Sequence, residues 1–353
     1  MAGFPGWRCV VSSWRGGTLL HASVPVSRGH VVAKVGQSLT QRLTMTVPRW
    51  DGMDWRPNSD AHPLARYGQE LQVSLVVESA VSDEEWETRV GRFLITDWDN
   101  DDPRYVVVTA EGLLRRAADD KLTSPMQPRP GGTLVSEARR LLPVGMSAAF
   151  DPALTDRACP TGMSWSEDRL AALQEIADAW PARLRTDEWG QVQFLAPLPA
   201  VPSPVLTLTD GERGTLVAAP RSDTREGAYN RVVARSAAPD RADIQAVSEI
   251  TSGPMSVTGP YGPVTRIFAS PLITTPGQAL ASAQNLVRSS ALPTQTIPVV
   301  AASDPRVDLG DAVDVVQDAG TDDESHTWGW VTGYDLPLTV ADGDMRIDVG
   351  VAS

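Results

Sequence analysis

Two carboxylate runs are the sharpest chemical features of the sequence: Asp97 to Asp102, reading DWDNDD, and Asp322 to Glu324, reading DDE. Calcium selects oxygen-rich loops of this kind. An EF-hand loop opening at Asp97 would, however, need Gly at position 102 and Glu at position 108, where the chain carries Asp102 and Val108. Both runs therefore read as solvated turns between strands, with no metal expected. Catalysis has as little to stand on. His21, His30, His62 and His326 are isolated from one another along the chain, and no GxSxG, HExxH or Cys/His pairing occurs. Cys9 and Cys159 lack CxxC spacing and read as unpaired. Hydrolysis requires at least a positioned acid and base, so no catalytic, cofactor-binding or metal-binding residue is assigned.

Tryptophan is the other conspicuous type, with 11 residues against five Tyr and five Phe. Trp50 and Trp55 stand in a polar stretch, RWDGMDWRPNSDAHPLARYG, between apolar runs. A large ring exposed in such a loop contacts a partner chain or a glycan, which makes these two the candidate partner-contact residues. The competing reading is a loop folded over its own β unit.

The elements that would position these residues follow from patterning. At 353 residues the chain exceeds one ordinary core, so two to three domains are expected. Its net charge is −13, from 44 acidic and 31 basic residues, with no basic stripe. That balance excludes a protein that grips nucleic acid by its phosphates. No run approaches the ~18 apolar residues of a membrane-spanning helix, and the opening residues lack a secretory-leader pattern, so synthesis and assembly in the cytoplasm are expected. The 28 Gly and 28 Pro suit a β-rich chain with many turns.

Residues 18–112 alternate in TLLHASVPV, HVVAKV, RLTMTVP, ELQVSLVVES, WETRVGRFLITDWD and RYVVVTAEG. Leu43, Met45 and Val47 share one face, the period-2 sign of a half-buried strand. Residues 1–112 therefore form a small antiparallel β-barrel or sandwich. Helical spacing then appears in TLVSEARRLL and, most clearly, in WSEDRLAALQEIADAW, where Leu170, Leu173, Ile176, Ala177 and Trp180 line one face. Ser166 is the expected N-cap and Pro181 the stop. The strands Ala182 to Arg185 and Gln191 to Leu195 follow, turning at Gly190, and this helix–hairpin cannot bury its own apolar face. After a return to strands, a helix is expected over Pro276 to Ser290, with proline at its first position. The fold class is thus α+β and β-rich: two small antiparallel β-barrel domains and an intervening α/β unit with a helix–hairpin. The expected division is 1–112 for the first barrel, 113–203 and 240–292 for the α/β unit, and 204–239 and 293–353 for a second, discontinuous barrel.

In this order the segments are similar to those of phage tail hub proteins, the baseplate hubs at the distal tip of contractile and flexible tails. VGRFLITDWDNDDPRYVVVTAEGLLRRAADDKL resembles the end of that family's first barrel, and WSEDRLAALQEIADAWPARLRTDEWGQVQFLAP its helix–hairpin. AYNRVVARS resembles the strand opening its second barrel, and DPRVDLGDAVDVV its "P.l..GD.v.v" strand. The resemblance implies a non-enzymatic virion component with no cofactor. It implies a homotrimer whose two barrels per chain alternate in a pseudo-sixfold ring. Implied partners are a distal tail or tail-tube ring, the tape-measure protein, and tail fibre or tip proteins, with DNA passing through unbound. A ring of this kind would place some acid toward its channel, and the candidates are Asp99, Asp101 and Asp102 in the first barrel and Asp322, Asp323 and Glu324 in the second. The competing orientation is outward, into solvent. Two rival functions are a tail-associated cell-wall hydrolase and a carbohydrate-binding adhesion module using Trp50 and Trp55.

Overall fold

The computed structural model describes residues 7–37, 39–78, 84–199, 201–212, 214–220, 222–223, 225, 227–291 and 295–351. Strands Trp7–Arg15, Thr18–His21, Arg28–Lys34, Gln41–Pro48, Gln69–Glu78, Glu85–Asp99 and Tyr105–Gly112 build the first β unit. Period-2 alternation decides which side faces inward. In Gln41–Pro48, Leu43, Met45 and Val47 are all fully buried while Arg42 and Thr44 are exposed. The second β unit contains Leu206–Thr209, Leu216–Ala218, Gln295–Ala301, Ala312–Gln317, Ser325–Pro337 and Met345–Val351.

The two expected barrels are not found as separate closed cylinders. Among the described residues the strands of both units join one 14-stranded sheet whose hydrogen-bonded order does not close on itself. The join is strand Ser325–Pro337. Its first half pairs with Ala312–Gln317, while Gly333 to Pro337 pair antiparallel with His30 to Lys34 of the first unit. An irregularity between Val331 and Gly333 lets the strand change partners, and a Cβ at Gly333 would stand only 3.2 Å from the Ala33 carbonyl oxygen. A single apolar cluster, including Val31, Leu43, Phe93, Val299, Val331 and Ile347, fills the inside of both units.

Four α-helices occur among the described residues: α1 (Leu114–Asp119), α2 (Leu134–Leu141), α3 (Arg169–Ala179) and α4 (Pro276–Ala291). Thr133 and Ser136 cap α2 reciprocally. Helix α3 begins later than Ser166 suggested. Asp168 is its cap and accepts from the Ala171 N–H at 2.9 Å. Leu170, Leu173, Ile176 and Ala177 bury the expected face against α1, α2 and the hairpin Arg183–Thr186/Val192–Leu195, with Trp165 and Phe194 in the same cluster. Gly190 adopts φ +83° at the hairpin turn, a conformation that favours glycine.

Strand Arg231–Ser236, expected to open the second barrel, pairs instead with Gln245–Glu249 and Thr265–Ser270 in a separate three-stranded sheet. Its inward residues Val232 and Ala234 are completed by Ala279, Ala283, Leu286 and Val287 of α4, which makes this strand the floor under that helix. The alternation marks a strand, but a period of two does not choose between two sheets, so its partners differ from those expected. The large sheet is thus left at Ser222–Asp223 and resumed at Gln295–Ala301, which pair with each other. Helix α4 also touches α3, where the Ser282 hydroxyl donates to the Ala179 carbonyl at 3.3 Å.

Leu173→Ala or Ile176→Ala should cost ~2–5 kcal/mol, since each side chain is fully buried and truncation leaves a cavity. Denaturant titration should show a lowered midpoint for both variants. Unchanged midpoints would mean that the α3 face is not core.

Candidate functional site

Stretch 48–68 makes a small hairpin, Trp50–Asp51 with Met53–Asp54, and then folds back over the first β unit. Trp50 stays 66% exposed at the open end of this hairpin, opposite Asp54, with the Arg49 guanidinium 5.3 Å from the ring centre. Trp55 is only 1% exposed, which corrects its assignment as a contact residue. Its indole N–H donates to the Asp51 carbonyl at 3.0 Å, and its ring meets the edge of His21 at 4.8 Å. His62 is clamped as well. Its Nδ1 accepts from the Leu64 N–H, which leaves Nε2–H to donate to the Asp54 carbonyl. Burial pushes the His62 pKa down, favouring this neutral form. The Ser13 hydroxyl on Pro63 O and the Gln69 amide on Asp60 O and His62 O pin the rest. These tethers are side chain to backbone across up to 50 residues, so no local pattern announces them.

The second acidic run lies in a turn, whereas Asp97 to Asp99 of the first end strand Glu85–Asp99 and only the residues after them leave the strand. Asp99 to Asp102 link Glu85–Asp99 to Tyr105–Gly112; Asp99 and Asp101 are exposed, and Asp102 is held by the Arg104 guanidinium, which brings its pKa down to about 2. Asp322, Asp323 and Glu324 are exposed in the turn between Ala312–Gln317 and Ser325–Pro337. There the Glu324 carboxylate accepts from the Gly320 N–H and reaches the His326 ring, whose other nitrogen meets Asp314 at 2.8 Å. The two carboxylates, Asp314 first, raise the His326 pKa.

Among the described residues no group of three or more His, Cys, Asp or Glu side chains is arranged to hold a metal. Cys9 and Cys159 are free, and burial pushes both thiols up to about 12, away from nucleophilic thiolate. His30, between the two β units, contacts Asp335 at 2.7 Å.

The polar groups with the most structural consequence were not legible from spacing. Glu70, nearly buried, receives Arg116 from α1 at 2.6 Å and stands 2.5 Å from Arg92 Nε, a close ionic contact without an aligned N–H. It fastens α1 to the first β unit. The hairpin wedges between both β units. Thr186 donates to Gln41 at 3.2 Å on one side, and Arg185 donates to Leu309 O and pairs with Asp308 on the other. Arg183 is held by Ala196 O and lowered to about 10 by burial. Partners 124 and 145 residues away carry these bonds, which explains their absence from any motif.

No protein-family model matches the chain, and no curated protein matches it in sequence. Solved structures do match. The tail protein from Neisseria meningitidis MC58 superposes with a TM-score of 0.65 over 97% of this chain and 96% of its own, at 14% identity. The 43 kDa tail protein of prophage MuSo2 from Shewanella oneidensis gives 0.58 over 96% and 97%, also at 14% identity. Prophage tail protein gp18 from Listeria monocytogenes EGD-e gives 0.53 over 98% and 95%, at 9% identity. The chain therefore has the fold of phage tail proteins, from one end of the described residues to the other. At such identities the likeness is one of fold, and the sequence resemblance to tail hubs finds its counterpart there.

Glu70→Ala should destabilise by about 3–5 kcal/mol, because it strands two arginines at a poorly hydrated junction. Glu70→Gln should lose less, and thermal unfolding of the pair measures both. At the second acidic turn, the raised pKa of His326 means that its ion pairs are fully formed below the ordinary histidine value and are lost as pH rises through the raised one. Proton-resolved NMR should give His326 a higher midpoint than free histidine, and Glu324→Gln should lower it. Identical midpoints in both proteins would remove Glu324 from the pair.

Proposed function

We propose that the chain is a structural hub of a phage or tail-like particle, seated at the distal tail and acting without chemistry of its own. The observation that carries this reading is fold overlap over nearly the entire length of three tail proteins, with no large segment of either partner left over. In the finer reading the chain is a homotrimer. Its two β units, each a barrel-like module within the shared sheet, alternate around a channel. Six modules then present pseudo-sixfold symmetry to a tail-tube or distal tail ring, and threefold symmetry to fibre or tip proteins. The tape-measure protein is the expected contact inside, and DNA passes through unbound. The proposed division is 1–112, 113–203 with 240–292, and 204–239 with 293–353, except that the pairing of Arg231–Ser236 with Gln245–Glu249 and Thr265–Ser270 supports counting that strand with the middle unit. Of the two tryptophans expected to meet a partner, Trp50 is the one that stays exposed. The acidic turns Asp99 to Asp102 and Asp322 to Glu324 are proposed to lie on the channel side, where carboxylates would keep phosphates from sticking.

Mass photometry of the purified chain should give a species of three times 37.9 kDa, and negative-stain images should show a six-lobed ring. A monomer at all concentrations, still monomeric when mixed with tail-tube protein, would overturn the trimeric hub.

A further inference from the structure

A cleft of about 500 Å³ opens where all three units meet. Strand Glu85–Asp99 supplies Glu87 and Arg89, the hairpin supplies Thr186, Glu188 and Trp189, and the second β unit supplies Arg306, Asp308 and Tyr334, with Gln41 behind. The floor is uncharged and polar. Gln41, Thr186 and Tyr334 are each more than nine-tenths buried, Thr186 donates to Gln41, and the Tyr334 phenol is hydrogen-bonded to the same amide. The wall is an indole. Trp189 is 56% exposed, and the Arg89 guanidinium lies 3.4 Å from its ring centre, which fixes the ring plane.

The charges at the rim oppose one another. Asp308 is taken by Arg185 and Arg306 by Asp304, which leaves Arg89 on the indole and Glu87 and Glu188 in the same lining. No net field favours an anion, and Arg89 disfavours a second cation. An aliphatic ligand would offer no partner to the hydrogen-bonding capacity that the floor keeps beyond its own Thr186–Gln41 bond. A neutral ligand dense in hydroxyl groups satisfies every wall: it donates to Glu87 and Glu188, exchanges hydrogen bonds with Gln41 and Thr186, and lays C–H groups on the indole. We infer that this inter-unit cleft is a saccharide-binding site for one or two neutral pyranose units, with Trp189 as its stacking wall. Among the described residues, Trp50 and Trp55, the rings in the polar loop, have no such floor beside them; the built polar floor is at Trp189. The inference does not rest on the hub proposal, since the cleft lies within one chain.

Saturation-transfer NMR on the full chain, with glucose, galactose, N-acetylglucosamine and their disaccharides each added alone, tests it. At least one should receive saturation, and Trp189→Ala should weaken that signal about tenfold, the loss expected when a central aromatic contact is truncated. Trp189→Phe should retain part of it. Glu87→Gln with Glu188→Gln should weaken binding at an unchanged unfolding midpoint, which separates loss of the site from loss of the fold. No saturation in any of the sugars overturns the assignment. So does transfer that survives Trp189→Ala, or transfer to acetyl-lysine amide alone, which would make the cleft a seat for a basic side chain of a partner protein.

Discussion

The pairing of Gly333 to Pro337 with His30 to Lys34 is the interaction on which the rest of the fold depends, because it turns two β units into one sheet with one core. Side-chain period in a strand is two, so a slip of one residue would turn Tyr334 and Leu336 outward and Asp335 into the core. Close approach sets the register. A Cβ at Gly29 would come within 2.9 Å of the Thr44 carbonyl oxygen and 3.0 Å of Leu338, and one at Gly329 within 2.4 Å of the Gly350 carbonyl oxygen. The corner beyond Leu338 is tied by Asp342, which accepts from the Gly29 N–H and from Thr339. Backbone ladder, small residues and one near-buried carboxylate therefore agree on a single alignment.

With that joint fixed, the helical unit needs only local fastening. The hairpin fills the angle between the β units, α3 buries its face on the hairpin, and α4 lies over its own small sheet while leaning on α3. Arg157 bridges the two helical clusters, donating to Leu272 O at 2.6 Å and Ala179 O at 2.8 Å. Its guanidinium is partly withdrawn from water, so those carbonyls supply the partners that solvent no longer does. The result is a chain whose units are tied by packed faces and shared carbonyl acceptors.

Local order was legible and partnership was not. Strands Gln41–Pro48 and Tyr105–Gly112 alternate visibly, and α4 starts at the proline that marked it, because these signals are properties of a few consecutive residues. What failed depends on distance in the chain. Arg231–Ser236 has the alternation of any half-buried strand, and only its packing against α4 distinguishes the sheet it joins. Trp55 differs from Trp50 in no local respect. It is buried because His21, from another strand, and Asp51, from the hairpin before it, happen to meet its ring and its N–H. Glu70 looked like one acid among 44, and its two arginines arrive from positions 92 and 116. The order of segments carried information that their composition lacked, which is why resemblance to tail hubs reached the fold when patterning alone reached only its class.

The same distinction governs the charge argument. A formal charge of −13 is a property of composition, whereas repulsion of a passing phosphate is a property of unpaired carboxylates within a Debye length of ~8 Å at physiological salt. Asp102 and Asp304 already hold arginines, and Glu324 shares a histidine, so their fields are partly cancelled at contact range. Among the described members of the two turns, Asp99, Asp101, Asp322 and Asp323 make no ion pair. If these turns line the proposed channel, those four residues do the repelling, and the paired acids serve instead to hold the turns in shape. Whether a lumen resists DNA then follows from where four side chains point, and the net charge of the chain decides very little.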